Sequence, residues 1–178
     1  MISRVRCSIC GAEHDLGQIE PSFRRPDAYF AVPPEKRQGR INGSDEACLI
    51  ASADGQDLAC FVRVILKVPI IDERRSIGWG LWVEVDQEAY WRIATVWNDP
   101  NQSAEPPFAC TVANDIRGYP STRGLPGIIQ LVGRQLRPSL ALAPDSTHPF
   151  ATEVRAGVPF ERALEWRTWV LHEWLDRP

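Results

Sequence analysis

The sequence predicts an α+β fold with a mainly antiparallel sheet of about six or seven strands, two main helices and an N-terminal cysteine-containing knuckle. The 15 prolines and 12 glycines among 178 residues supply many turns and argue against a helical bundle. Several short runs rich in Val, Ile and Phe have the length of strands. Two longer windows carry apolar residues at helical spacing, and they do not alternate regularly with the strands.

The chain length suggests a single domain spanning residues 1–178, because one domain takes about 150 residues. Residues 1–20 are polar and hold two closely spaced cysteines, so they are assigned to the knuckle. Residues 47–175 are assigned to the α+β body. The segment between these parts is expected to be irregular, with a helical turn or two at most, because four prolines break any long element. These are Pro21, Pro26, Pro33 and Pro34.

The central strands are predicted from alternation. Ala47–Ala51 is a short apolar run that ends before an Asp-Gly turn. In Leu58–Ile71, the even-numbered positions from Val62 to Val68 are apolar and the odd-numbered positions are mixed, which indicates one fully buried face. Ile77–Val85 is the next strand, and the three together favour an antiparallel meander. The remaining predicted strands are Phe108–Val112, Ile128–Val132 and Leu140–Leu142.

The two main helices are predicted from their apolar spacing. The first covers Gln87–Trp97, and Asp86 is placed to cap its N-terminus. Its apolar positions follow the spacing of one helical face. They are Tyr90, Ile93, Ala94 and Trp97. The second runs from about Pro159 to Leu175 and closes the chain, since proline suits the first turn of a helix.

Charge and motifs exclude several classes of protein. The net charge of −3 favours neither a nucleic-acid-binding surface nor an anionic-membrane surface. Glycine-rich phosphate-binding motifs and the nucleophile elbow of hydrolases do not occur in the sequence. The start of the chain does not read as a secretory signal, and charged residues interrupt the longest apolar stretch. The expectation is therefore a cytoplasmic protein whose five cysteines are thiols, metal ligands or core residues.

The strongest chemical motif is the pair Cys7 and Cys10. This spacing is the common half-site of structural zinc, and Gly11 suits the tight turn that such a knuckle needs. A complete site needs two more ligands, for which His14 and Cys48 are the candidates. Plain structural thiols are the first alternative. A redox pair is the second, but it normally lies at a helix N-terminus after a strand, and no strand of useful length precedes this pair.

Several motifs, taken in their order along the chain, resemble the bacterial domain-of-unknown-function family 2199. The similarity covers nearly the whole chain, from Cys7 to the terminal helix. The motifs are CSICGAEHD, DEACLI, VILKVPIIDERRSIGWGLWVEV, WNDP, EPPF, GYPSTRGL and STHPFATEVRAGV. The resemblance implies a bacterial, intracellular protein and supplies no activity, substrate or catalytic residue.

The family pattern C-x-x-C-G-x-x-H falls on Cys7, Cys10, Gly11 and His14, and its later cysteine falls on Cys48. The resemblance therefore implies that Cys7, Cys10 and Cys48 belong together. Other matching positions are Trp79, Gly80, Trp82, Val83, His148 and Pro149. The family leads to the expectation of a Ser or Thr cap before the terminal helix, where this chain has Pro159.

The sequence favours a non-enzymatic binding or interaction module with a candidate structural zinc site and a protein partner, because it offers no convincing catalytic set. Neither nucleic acid nor a membrane is expected as a partner. One alternative is a metal-dependent enzyme that uses the site of Cys7 and Cys10. Another is an immunity-type protein that binds a toxin. The seven tryptophans are expected mainly in the core, and the alternative for them is an aromatic-lined groove.

Overall fold

The computed structural model describes residues 4–6, 11–15, 20–71 and 74–176. Near the start of the chain, β1 (Arg4–Arg6) pairs with β2 (Glu13–Asp15) in an antiparallel two-stranded sheet. This small sheet brackets the position of the predicted knuckle, whose two cysteines lie outside the described residues.

A second sheet contains seven strands, which follow one another in sequence order. They are β3 (Ile41–Gly43), β4 (Ala47–Ala51), β5 (Leu58–Pro69), β6 (Ser76–Val85), β7 (Phe108–Val112), β8 (Pro126–Gln130) and β9 (Ser139–Leu142). The described residues also form five α-helices and a short 3₁₀ turn at Gln102–Ala104. The helices are α1 (Asp27–Ala31), α2 (Pro34–Arg40), α3 (Gln87–Val96), α4 (Pro149–Ala156) and α5 (Phe160–Asp176).

A single parallel pairing closes part of this sheet into a barrel. Consecutive strands pair antiparallel, but β9 also pairs parallel to β5, with Ile65 opposite Ser139 and Leu66 opposite Leu140. Strands β5 to β9 therefore form a closed five-stranded barrel. The α+β class is confirmed, whereas the expected antiparallel sheet is corrected to a mixed one. The reason is that β5 continues beyond its pairing with β4, and its second half is left free to accept β9.

The barrel interior is the apolar face predicted for β5. Val62, Val64, Leu66 and Val68 are all buried, as the alternation indicated. Residues directly opposite one another on paired strands lie on the same face, so the register shows which residues of the other strands also face the interior. The interior face includes the pairs Val62 and Val83, Val83 and Val112, and Ile129 and Leu140. These residues are also buried, so the barrel is a packed core.

Helices pack at two places on this core. Helix α3 lies against β5, with Tyr90 and Ile93 buried, and the Asp86 carboxylate accepts a hydrogen bond of 2.7 Å from the backbone N–H of Ala89. This confirms the predicted helix and its cap. Farther along β6, Trp79 packs against helices α4 and α5. Its ring centroid lies 6.3 Å from that of Phe150 and 5.5 Å from that of Trp166.

Residues 21–27 run along β6 and continue into α1. Ser22 forms a parallel bridge with Gly80, whose N–H donates to the Pro21 carbonyl at 2.8 Å. Fully buried Asn114 then anchors the segment, because its side-chain amide donates to the Arg25 carbonyl at 3.0 Å and to the Asp27 carboxylate at 3.1 Å. These bonds place α1 and α2 beside the sheet.

The expectation of two main helices is corrected to five helices in the part of the chain that the structure describes. Helices α1 and α2 have five and seven residues, so they are too short for the spacing of apolar residues to reveal them. Helix α4 was not predicted because its cap is unusual: the His148 ring accepts a hydrogen bond of 3.2 Å from the Phe150 N–H through Nδ1. Ser, Thr, Asp and Asn are the usual caps. Helix α5 begins directly after Pro159.

Replacement of Gly127 by alanine is expected to lower the free energy of unfolding by about 1–3 kcal/mol. A methyl group at this position in β8 would lie 2.7 Å from the carbonyl oxygen of Ala141 in β9, so the barrel would have to shift. Urea denaturation measures the change. The control is Gly39→Ala in α2, where nothing lies within 4 Å of the added methyl group. This control should raise stability by up to about 1 kcal/mol. Equal stability of Gly127→Ala and the wild type would contradict the described β8–β9 pairing.

Candidate functional site

The most conspicuous exposed side chain is Trp91 on α3. The buried stripe of this helix contains Tyr90, Ile93 and Val96, and Trp91 points away from it with 54% of its surface exposed. Its ring makes an edge contact with the buried Tyr90 ring, with centroids 5.2 Å apart and planes at 87°. This contact holds the exposed indole ring against a fixed neighbour.

Trp91 forms part of a groove between α3 and β7. The groove has a volume of about 510 Å³. Pro107, Phe108 and Ala109 line the β7 side, and Thr95 follows Trp91 on the helix side. The Thr95 hydroxyl donates to the Trp91 carbonyl at 2.7 Å, so it is satisfied within the helix. The β7 side of the groove is therefore apolar, and the polar and charged lining residues belong to α3 and its cap.

An apolar row continues from this groove across the outside of the barrel. Ala109 in β7 lies directly opposite Ile128 in β8, and Ile128 lies directly opposite Ala141 in β9. All three are exposed, and Ile128 exposes 48% of its surface. We call the groove and this row together the Trp91 surface, defined by Trp91, Ala109, Ile128 and Ala141. Contiguous apolar surface of this kind marks interaction sites more often than scattered apolar residues do.

The charged groups beside the groove are predominantly acidic. Asp86 and Glu88 line it, and both are exposed. The only lining cation among the described residues is Arg92, which forms a two-point ion pair with Glu105 at 2.9 and 2.5 Å. This pairing holds the pKa of Glu105 below its ordinary value. The charge of Arg92 is thus compensated locally, and the carboxylates of Asp86 and Glu88 leave a negative surplus.

The predicted zinc ligands fall into three groups. Cys7 and Cys10 lie outside the described residues. His14 lies in β2, opposite Val5. Cys48 lies in β4 and is completely buried. Across the described ranges, no three His, Cys, Asp or Glu side chains come together as a metal site. The zinc site of Cys7, Cys10, His14 and Cys48 therefore stays a prediction.

The sheet separates Cys48 from Cys60. Cys48 lies opposite Phe61, while Leu49 lies opposite Cys60, so the side chains of Cys48 and Cys60 point to opposite faces. Burial raises the pKa of Cys48 to about 11, although the nearby Arg25 charge acts in the other direction. Burial also raises the pKa of Cys110 to about 12. Without a bound metal ion, both thiols keep their protons at neutral pH, whereas a zinc ion bound by Cys48 would remove the proton from that thiol.

Most of the tryptophans belong to the core, as the sequence indicated. Trp79, Trp82 and Trp166 are buried, and Trp97 and Trp169 are partly buried against the core, which makes five of the seven. Trp91 is not among the site residues predicted from the sequence, although the sequence holds a signal for its exposure. Trp91 follows directly after the core position Tyr90, and adjacent helical positions lie about 100° apart, so the pattern places Trp91 beside the buried stripe.

A family model for uncharacterised proteins conserved in bacteria matches residues 6–158. The chain belongs to the DUF2199 family. This confirms the resemblance given by the order of the sequence motifs, and the matched range includes Cys7, Cys10, His14 and Cys48. Searches of curated proteins and of solved structures returned no match. Within the described part of this DUF2199 protein, none of the helices has the length and apolar character needed to cross a membrane.

Cys48 and Cys110 are expected to resist alkylation at pH 8 in the native protein and to react in urea. The unfolded thiols ionise near pH 9, whereas the folded thiols keep their protons up to about 11 and 12. The unfolded state therefore loses protons first as the pH rises, and the free energy of unfolding should fall above about pH 9. Mass spectrometry after alkylation checks the reactivity, and urea titrations at pH 8 and 10 check the stability. Equally fast labelling of Cys48 with and without urea would contradict the burial.

Protein purified without added zinc is expected to carry about one zinc ion per chain, and Cys7→Ser should lower both the zinc content and the melting temperature. Elemental analysis and thermal unfolding provide the measurements. The control is Cys60→Ser, which alters a buried core thiol and should lower stability without changing the zinc content. Less than about a tenth of an equivalent of zinc in the wild type would remove the metal prediction.

Proposed function

We propose that this DUF2199 protein is a non-enzymatic binding module that docks a basic and partly apolar segment of a protein partner on the Trp91 surface. The observation that carries the proposal is the placement of a half-exposed indole ring between an apolar row and the exposed carboxylates of Asp86 and Glu88. A half-exposed tryptophan leaves a large apolar area in water, and its burial by a partner is favourable.

The indole ring supports an anchoring role. Tryptophan is among the residues that contribute most to binding energy at protein interfaces. The edge contact between Trp91 and Tyr90 restricts the ring before binding, so less side-chain entropy is lost when a partner covers it. Ala109 and Ile128 extend the contact area beside the ring, and neither has a polar side chain that would have to be desolvated.

The charges support a basic partner. A Lys or Arg side chain that enters the groove would meet the face of Trp91 and the carboxylates of Asp86 and Glu88 together. The first contact is a cation–π interaction and the second is an ion pair, and both strengthen when a partner excludes water. An acidic partner would be repelled by the same carboxylates. An immunity-type role, with a basic toxin as the partner, is one form of this proposal.

The alternative of a metal-dependent enzyme rests on the knuckle and not on the Trp91 surface. It requires bound metal with an open coordination position, whereas sites rich in thiolates are usually closed and structural. If zinc is present and Cys7→Ser leaves the stability unchanged, the enzyme alternative gains support. The two proposals therefore have separate tests.

Replacement of Trp91 by alanine is expected to weaken partner binding by at least about 2 kcal/mol, or roughly 30-fold, because the anchoring ring is lost. Wild-type protein would first be used to capture binding proteins from a bacterial lysate. The affinity of each purified candidate would then be measured by titration calorimetry. Glu88→Lys should also weaken binding, and more strongly at low salt than at high salt, because it reverses one of the attracting charges.

The matched control is Leu136→Ser, which removes another exposed apolar side chain. Leu136 does not line the groove, so this variant should bind like the wild type. Circular dichroism should show that Trp91→Ala remains folded, since the ring is more than half exposed. If Trp91→Ala and Leu136→Ser bound every captured partner equally well, the proposal would be wrong. Self-association of the wild-type chain that Trp91→Ala abolishes would replace the basic partner with a second copy.

A further inference from the structure

A second cavity lies between the α1–α2 segment and the β3–β4 hairpin. Its volume is about 230 Å³, which suits a small molecule or the end of a larger one. Four polar or aromatic side chains line it, together with the edge of the sheet. The lining residues are Arg25, Tyr29, Arg37, Gln38, Ile41, Gly43 and Cys48.

Two cationic groups meet over one ring in this cavity. The guanidinium carbon of Arg37 lies 4.8 Å from the centroid of the Tyr29 ring, and that of Arg25 lies 5.7 Å from it. Both distances fall in the range of cation–π contacts. Tyr29 thus contacts both arginines that line the cavity.

The guanidinium group of Arg37 has donor nitrogens that are available for further hydrogen bonds. Its Nε donates to the Val32 carbonyl at 3.0 Å, and this bond fixes the orientation of the guanidinium plane. Among the described residues, the two terminal nitrogens of Arg37 have no acceptor. A guanidinium group held in this way presents a planar fork that matches the two oxygens of a carboxylate or phosphate group.

Arg25 supplies the second charge. Its terminal nitrogens face the Ser44 carbonyl and the Asp45 carboxylate, the latter at 3.5 Å. Asp45 is largely exposed and does not line the cavity, and the described lining contains no carboxylate. The cavity therefore holds a surplus of positive charge. The Gln38 side chain adds an amide that can donate hydrogen bonds, and buried Cys48 closes the floor.

We propose that this cavity binds the carboxylate or phosphate group of a small molecule, with Arg37 as the two-point donor and Arg25 as the second positive charge. Tyr29 holds both guanidinium groups in place, and Gln38 offers a further donor. The anion would contact both guanidinium groups that line the cavity and use the two terminal nitrogens of Arg37. This site is independent of the Trp91 surface, which is built from different residues of α3, β7, β8 and β9.

The test is a titration of the whole protein with sodium phosphate and, separately, with sodium acetate at constant ionic strength. Two-dimensional NMR would follow the backbone amides of residues 25–48. Saturable shifts in this segment with either anion support the proposal, and the anion that binds more tightly identifies the ligand class. Arg37→Gln should weaken binding at least about tenfold, since a hydrogen bond to a charged group typically contributes one factor of ten or more.

Lys36→Gln is the matched control, because it removes the same charge from an exposed neighbour in α2 that does not line the cavity. It should change the affinity less than about twofold. Arg37→Lys keeps the charge but loses the planar fork, so its affinity should fall between those of Arg37→Gln and the wild type. The absence of saturable binding by both anions, or equal losses in Arg37→Gln and Lys36→Gln, would overturn the proposal. Trp91→Ala should bind the anions like the wild type.

Discussion

Strand β5 bonds to three other strands, and the rest of the structure depends on this arrangement. Its first half pairs with β4, its residues 60–69 pair with β6, and its second half pairs with β9. The β9 pairing closes the barrel. The β4 pairing extends the sheet to the β3–β4 hairpin, which forms one wall of the cavity lined by Arg25 and Arg37 (the basic cavity). Both faces of β5 are used, because Val62 and Val64 face the packed interior while Phe61 is buried on the other side.

Patterns formed by neighbouring residues in the sequence predict most of the strands and the two longest helices. The alternation in β5 and the Asp86 cap of α3 are properties of neighbouring residues, so they are visible in the sequence. The parallel pairing of Ile65 with Ser139 joins strands that are far apart in the chain, so no pattern of neighbouring residues shows it, although β9 itself is predicted as a strand. Helix α4 was missed for a chemical reason, since a histidine ring replaces the usual oxygen at its cap.

The candidate sites differ in how far the sequence could reveal them. The exposure of Trp91 follows from the helical period of α3, so it was accessible to sequence reasoning. The basic cavity could not be predicted from the sequence. Arg25 and Arg37 both contact Tyr29 only in the folded chain, where Asn114 anchors the segment that contains Arg25 to the body of the protein. The zinc prediction rests on spacing and family pattern, and the structure adds to it only the burial of Cys48.

The closed barrel also restricts the shape of a partner. Strands β5 to β9 close into a ring, and Gly80 in β6 bonds to Pro21 and Phe23 on the edge that β7 leaves uncovered. An incoming extended chain therefore finds no long free edge among the described residues of the barrel. The outermost strand of the seven-stranded sheet is β3, which has only three residues. Recognition by adding a strand to the sheet is therefore disfavoured. A partner is better matched if it presents side chains from a helix or a folded loop, and specificity then depends on side-chain chemistry and not on a backbone ladder.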